Sequence, residues 1–143
     1  MKKYNLELTE KQLHAVLEAT DLLQRIQLGQ WTEIEKSLPL AESISYEDIQ
    51  LIGEILSKYM LYGFNGIGSC LGIGNSSLPN NNGILYDLYC VIRHKLSWES
   101  AVEKGIIENE NSERKWPEMI GVSYDSPMKW GDEPLAKIER IES

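Results

Sequence analysis

Aromatic and basic side chains share one ridge of a predicted helix in the second half of the chain. Tyr86, Tyr89 and Arg93 are spaced i, i+3 and i+7, so they lie on the same side of a helix. Two aromatic rings can stack a nucleotide base, and a guanidinium can pair with a phosphate through two parallel hydrogen bonds. The ridge therefore predicts a site for an anionic nucleotide. The alternative is a boundary between core and solvent, where tyrosines are also common.

The basic residues Arg93, His94 and Lys95 follow one another directly in a chain whose formal net charge is −8. Such a run creates a local positive site in an otherwise negative protein. The alternative is a solvated helix end, where cations complement the negative end of the helix dipole. We include His94 among the candidates because it lies within this run.

Arg25 lies among aliphatic residues of the predicted first helix. An arginine beside an apolar stripe needs an anionic partner, because burying it unpaired costs free energy. The partner is a carboxylate of Glu18 or Asp21, a phosphate of a ligand, or a group of another subunit. The candidate ligand-binding residues are thus Arg25, Tyr86, Tyr89, Arg93 and His94.

The chain offers little that catalysis or metal binding would use. It has two histidines and no nucleophile-elbow sequence, and its carboxylates fall in charge runs. Gly66, Gly68 and Gly72 resemble a dinucleotide loop only loosely, because the third glycine is one position late. Cys70 and Cys90 form no C-x-x-C pair and are predicted to be buried free thiols. We therefore predict a binding protein and not an enzyme, with no catalytic residue, no metal site and no cofactor.

Helical periodicity predicts the elements that position these residues. Thr9 followed by Gln12 is a capping-box pattern, so the first helix should begin here. An apolar stripe from Leu13 to Ile26 should face the core, and Gly29 should end the helix. A second strong stripe, over residues 84–96, predicts the helix that carries the tyrosine and arginine ridge.

Short strands are predicted at both ends of the chain. Apolar residues alternate with polar ones over 4–8, and apolar runs recur at 119–124 and 135–141. The terminal strands are expected to pair, either within the chain or between chains.

We therefore expect one α+β domain over residues 1–143, with a mainly helical body, a short N-terminal strand and a small C-terminal β region. The helical body should span about 9–98, an exposed connection about 99–117, and the β region about 118–143.

Composition limits the kind of partner. With 143 residues, 42% of them hydrophobic, the chain can bury the core of one domain. Its 14 Lys and Arg against 22 Asp and Glu argue against binding to duplex nucleic acid, which depends on basic surface. No apolar run is long enough to span a bilayer, and the first residues do not look like a signal peptide. We expect a protein of the reducing cytoplasm.

Three stretches in a fixed order carry a family resemblance. They are residues 6–13 leading to Arg25-Ile26 and Gly29-Gln30, then residues 86–98, and finally residues 124–129 with 133–139. Together they resemble the first Thoeris anti-defence family of phage sponge proteins, over nearly the whole chain. The Gly-rich segment 63–74 and the asparagine run 80–82 depart from the family pattern, which puts the choice of ligand in doubt.

The resemblance implies that the chain binds a cyclic ADP-ribose isomer made by a host TIR-domain protein. The ligand would be held without cleavage, so that the NAD-depleting effector of the host is never switched on. Members assemble as dimers, and in some cases as hexamers that also capture cyclic oligonucleotides at separate sites. The resemblance thus implies a homo-oligomer in the host cytoplasm, with Arg25 at the place of the family's first-helix arginine.

Two other functions fit the residues. The first is an acidic interaction protein that covers a host enzyme or mimics nucleic acid. The second is a small hydrolase that acts on a nucleotide. Intact bound ligand, altered ligand or no bound ligand would separate the three.

Overall fold

The computed structural model describes residues 2–37, 45–60 and 70–141. These residues form four α-helices and one short 3-10 helix. The helices are α1 (Glu10–Leu28), α2 (Thr32–Ser37), α3 (Tyr46–Met60) and α4 (Asn82–Glu103), followed by the 3-10 helix Val122–Tyr124. Helix α1 packs against α4, and α2 contacts both α1 and α3. Of the Gly-rich segment 63–74, residues 63–69 lie outside the described residues.

The predicted limits of α1 are confirmed by the way each end is capped. The hydroxyl of Thr9 accepts a hydrogen bond from the backbone N–H of Gln12 at 3.3 Å, and the Gln12 side chain accepts from the Thr9 N–H at 2.8 Å. This reciprocal pair satisfies two backbone donors that a helix start leaves free. Gly29 ends the helix with φ of 86°, a conformation that glycine adopts without steric cost.

The face that α1 buries is more polar than the apolar stripe predicted. Thr20, Gln24 and Leu28 are the buried residues of α1, spaced four apart, whereas Leu23 is 43% exposed. Residues four apart lie on one side of a helix, so a single ridge faces the rest of the fold. Of the residues in the predicted stripe, Leu23 is exposed and the others are partly buried in the single chain.

Helix α4 is fixed to the C-terminal part of the chain by a buried carboxylate. The two oxygens of Asp87 accept hydrogen bonds from the backbone N–H groups of Trp130 and Gly131, each at 2.8 Å. Asp87 is 5% exposed, so the solvation it loses must be replaced by these bonds. Gly131 sits directly on the first turn of α4, where a Cβ would lie 2.8 Å from the backbone nitrogen of Ile84.

A small apolar core closes the far end of α4. Ala101, Ile107 and Met119 are buried together, and Trp98 and Tyr124 pack against them. The indole N–H of Trp98 also donates to the carbonyl of Tyr124 at 3.2 Å. These contacts hold the 3-10 helix against α4.

The predicted α+β class is wrong. No strand is present in residues 2–37, 45–60 or 70–141, and the predicted strand at 119–124 ends in a 3-10 helix. Residues 4–8 and 135–141 make no backbone ladder with any described segment. Alternation of apolar residues indicates an extended chain, but a strand also needs a neighbour to accept its backbone hydrogen bonds.

The predicted boundaries of the helical body also differ from the structure. Helix α4 runs to Glu103, past the predicted end near residue 98. Ala101 and Ile107, which fall in the stretch predicted to be an exposed connection, are buried. No described helix has both the length and the apolar character that crossing a bilayer requires.

Replacing Asp87 with Ala should lower the free energy of unfolding by about 2–3 kcal/mol, because two buried N–H groups lose a charged acceptor. Urea denaturation followed by circular dichroism measures the loss. Asp132→Ala, at an exposed carboxylate in the same loop, is the matched control and should change stability by less than about 0.5 kcal/mol. Equal effects of the two substitutions would contradict this role of Asp87.

Candidate functional site

Three of the predicted site residues form one cluster on α4. The rings of Tyr86 and Tyr89 lie 6.2 Å apart between centroids, at an interplanar angle of 41°. The guanidinium carbon of Arg93 lies 4.8 Å from the centroid of the Tyr89 ring, and its Nη1 donates to the Tyr89 hydroxyl at 3.2 Å. We call these three residues the arginine–tyrosine cluster. A guanidinium over an aromatic face is held in place by the attraction between the cation and the ring.

Among the described residues, Arg93 is the arginine for which no carboxylate partner is found. Its Nη2 reaches only the Cys90 sulfur at 3.9 Å and the Val122 carbonyl at 3.5 Å, and its Nε is buried without a partner. Each of the other arginines is within 4.0 Å of a carboxylate: Arg25 with Asp21, Arg114 with Asp125 and Arg140 with Glu103. No ion pair among the described residues includes Arg93. Its charge is therefore not neutralised within this part of the chain.

Arg25 lies near the cluster but is already paired. Its Nε donates to the Asp21 carboxylate at 2.8 Å, and its Nη1 donates to the Gln30 side chain at 3.0 Å. Burial acts to lower the pKa of Arg25, but the hydrogen bond and charge of Asp21 outweigh it and the pKa is raised. Tyr89 is close enough to interact electrostatically with this guanidinium. Of the partners predicted for Arg25, the structure shows the internal carboxylate of Asp21.

The cluster carries one positive charge at neutral pH. Burial raises the pKa of the Tyr86 phenol, and burial likewise raises the pKa of the Cys90 thiol. Both groups are therefore uncharged near pH 7, and the guanidinium of Arg93 is the charged group among them. A cation flanked by two tyrosines is suited to an anion attached to a planar ring.

His94 is not brought to the cluster. Its Nδ1 lies 3.2 Å from the carbonyl oxygen of Ser123, and its ring centroid lies 6.0 Å from that of Trp98. Arg93 reaches the neighbouring Val122 carbonyl, so both residues contact the 3-10 helix, but the His94 ring lies beside Trp98 and not beside the tyrosines of the cluster. It lines a separate cavity of about 450 Å³. In the part of the chain described, no three His, Cys, Asp or Glu side chains are grouped so as to hold a metal ion.

The side chains of the arginine–tyrosine cluster are each partly buried. Three cavities lie elsewhere: about 280 Å³ at the start of α4, about 450 Å³ beside His94, and about 740 Å³ between the two ends of the chain. None of these three is lined by Arg25 or by a member of the cluster. Tight binding of a small molecule buries most of its surface, so the cluster is at most one wall of a complete site.

Two buried amides lie at the contact between α1 and α4, Gln24 on α1 and Asn82 on α4. Neither of them was predicted from the sequence. Asn82, 1% exposed, donates from Nδ2 to the Gln24 carbonyl at 3.2 Å and to the Gln27 side chain at 3.0 Å. Its Oδ1 has no partner, and neither does Nε2 of Gln24, which is 3% exposed. Asn82 precedes Tyr86 by four residues, so the same periodicity that linked Tyr86 to Arg93 would have included it. The contact between α1 and α4 is thus polar next to the cluster.

The comparisons with known proteins assign the chain to no family. No protein-family model matches the chain, and no significant match was found among the curated proteins or the solved structures. The resemblance to phage sponge proteins therefore stays a prediction, and the function must be argued from the cluster itself.

The two cysteines should react at very different rates with a thiol reagent. Cys70, predicted to be buried, is exposed, whereas Cys90 is buried as predicted. Burial raises the pKa of Cys90, which lowers its thiolate fraction at pH 8, and burial also shields the sulfur from the reagent. Labelling of the Cys70→Ser variant should be at least about tenfold slower than labelling of the Cys90→Ser variant. Similar labelling rates in the two variants would contradict the burial of the Cys90 thiol.

The raised pKa of the Cys90 thiol also predicts a pH dependence of stability. A thiol whose pKa is raised by folding stabilises the protein fully below the pKa of the unfolded thiol. That contribution is lost as the pH rises through the raised value. The wild type should therefore lose stability relative to Cys90→Ser above about pH 9, as measured by urea denaturation across pH. A constant difference between the two proteins would contradict this expectation.

Proposed function

We propose that this protein is a phage-encoded sponge that binds a cyclic nucleotide immune signal without cleaving it and so blocks a host defence. The proposed ligands are cyclic ADP-ribose isomers. Cyclic oligonucleotides belong to the same chemical class and are the second group of ligands to test. The observation that carries the proposal is Arg93, an arginine that lies over a tyrosine ring and has no carboxylate partner in the described part of the chain. A planar guanidinium can bind phosphate through two parallel hydrogen bonds, and tyrosine is a stacking surface for a base.

The net charge of the chain favours a small ligand over a polyanion. At −8 the protein repels nucleic acid over distances of about 8–10 Å, the screening length at physiological salt. A nucleotide with one or two phosphates meets the local charge of Arg93 once it is in contact. Affinity would then come from close contacts and not from long-range attraction. This supports a selective nucleotide site and agrees with the prediction of no duplex nucleic acid.

Retention without turnover is supported by the chemistry around the cluster. The thiol of Cys90, which lies next to the Arg93 guanidinium, is buried and has a raised pKa, so it stays in the unreactive thiol form near neutral pH. His94, the basic residue next to Arg93, lies near the Ser123 carbonyl and beside Trp98. The described residues therefore bring no activated nucleophile to the place where a phosphate would bind.

A homo-oligomer would close the site that one chain leaves open. Several large apolar side chains of the single chain are exposed, among them Leu23 on α1 and Leu51, Ile52 and Ile55 on α3. Apolar patches of this kind commonly mark protein contacts. A second copy placed against the cluster would supply the missing wall and exclude water from the Arg93–phosphate pair.

The second candidate function is an acidic interaction module that inhibits a host enzyme. It is favoured by the exposed apolar side chains of α3, which lie on the same helix as Glu47, Asp48 and Glu54. Such a module would bind a protein through α3 and retain no nucleotide.

The Arg93→Ala variant should lose the ligand, and Arg140→Ala should keep it. Each protein is incubated with cyclic ADP-ribose isomers and with cyclic di- and trinucleotides and then freed of unbound ligand. It is next heat-denatured, and the released compounds are identified by mass spectrometry. Loss of a charged hydrogen bond weakens binding about 10- to 100-fold, enough to empty the protein during washing. Arg140 is exposed, paired with Glu103 and outside the cluster, so its removal is a matched control.

The outcomes separate the candidate functions. Intact released ligand supports the sponge, an altered ligand would indicate a hydrolase, and no ligand from the wild type would favour the interaction module. If Arg93→Ala and Arg25→Ala both retain ligand as well as the wild type does, the site is elsewhere.

A further inference from the structure

Two extended segments at the ends of the described chain border one groove. The groove has a volume of about 740 Å³ and lies between residues 4–10 and residues 136–141. Apolar residues of both long helices line it, including Leu13 and Val16 of α1 and Leu88 and Ile92 of α4. The N-terminal segment leaves large apolar side chains in solvent, since Tyr4 is 87% and Leu6 is 78% exposed.

The backbone of the N-terminal segment is also unpaired. Residues 3–8 donate and accept no backbone–backbone hydrogen bond with any described residue. An extended, partly apolar segment with free N–H and C=O groups is a template for pairing with another strand. The helix that follows is firmly capped at Thr9, so the segment leaves the body of the protein from a fixed point.

The order of side chains in this segment is complementary to itself. In Lys3-Tyr4-Asn5-Leu6-Glu7, a positive and a negative residue stand at equal distances from the central asparagine. If two copies pair antiparallel about Asn5, Lys3 of each copy lies opposite Glu7 of the other copy. Tyr4 then lies opposite Leu6 of the other copy, on one face of the ribbon. Opposite charges and aromatic–aliphatic pairs directly across antiparallel strands are both stabilising.

We propose that residues 3–7 form a homodimer interface by pairing antiparallel with the same residues of a second copy about a two-fold axis at Asn5. The charge pattern favours a second copy over an unrelated protein, because an isologous contact needs a surface that complements itself. The C-terminal segment 135–141 borders the other side of the groove without forming a ladder with residues 3–8. The interface is independent of nucleotide binding, and it specifies which surface makes the predicted oligomer.

Charge exchange at the two ends of the segment tests this register. Glu7→Lys alone places like charges opposite each other twice in the dimer, and Lys3→Glu alone does the same. Each single variant should raise the dimer dissociation constant at least about tenfold, measured without ligand by analytical ultracentrifugation over a concentration series. The double variant Lys3→Glu/Glu7→Lys restores opposite charges at both positions and should return the constant to within about threefold of the wild type.

Two further variants keep the test decisive. Glu113→Lys changes the net charge by the same amount as Glu7→Lys, at an exposed residue outside the groove. It should leave the dimer dissociation constant unchanged. Leu6→Asp should yield a folded monomer, because this side chain makes little contact within its own chain. Helical content by circular dichroism checks that every variant is folded.

A wild type that stays monomeric at all concentrations would overturn the proposal. So would a Glu7→Lys variant that dimerises normally, or a double variant that is no better than the singles. Ligand retention is measured separately, so failure of the interface and failure of the sponge function can be told apart.

Discussion

The functional interpretation depends on one arginine of a strongly acidic chain that has no carboxylate partner within residues 2–37, 45–60 and 70–141. Arg93 is held over Tyr89 and hydrogen-bonded to its hydroxyl, while its Nε is buried without a partner. The carboxylates of the protein neutralise the other arginines instead. Leaving a partly buried guanidinium unpaired costs stability, and an anionic ligand at this position would recover that free energy on binding. The arrangement is therefore better suited to binding than to holding the fold together.

The described helices around Arg93 leave apolar side chains exposed and bury polar ones. Helix α4 is supported on one side by α1 and is fixed to the C-terminal loop through Asp87. The α1–α4 contact buries polar side chains such as Gln24 and Asn82, while aliphatic residues of α1 and α3 stay exposed. A protein that exposes apolar surface and buries amides gains from further contacts. Self-association through the terminal segments would cover a surface that is separate from the arginine–tyrosine cluster, so assembly and ligand binding can be measured independently.

The sequence predicted the local features well, because they depend on neighbouring residues. The capping box at Thr9, the end of α1 at Gly29 and the grouping of Tyr86, Tyr89 and Arg93 all follow from helical periodicity and short-range hydrogen bonds. The strands were predicted wrongly, because alternation indicates an extended chain and cannot indicate what pairs with it. His94 was grouped with Arg93 by adjacency, although adjacent helical residues diverge. The buried amides were missed, because polarity predicts exposure until a tertiary contact overrides it.

The most direct test of the central claim is the side-chain NMR signal of Arg93. The Nε–H resonances of the arginines can be assigned with the Arg93→Ala and Arg140→Ala variants and followed while a cyclic ADP-ribose isomer is added. We predict a large, saturable shift of the Arg93 Nε–H signal, with slowed exchange of its proton, while the signals of Arg114 and Arg140 stay in place. An unchanged Arg93 signal at saturating ligand, or a shift confined to another arginine, would contradict the claim that this guanidinium binds the nucleotide.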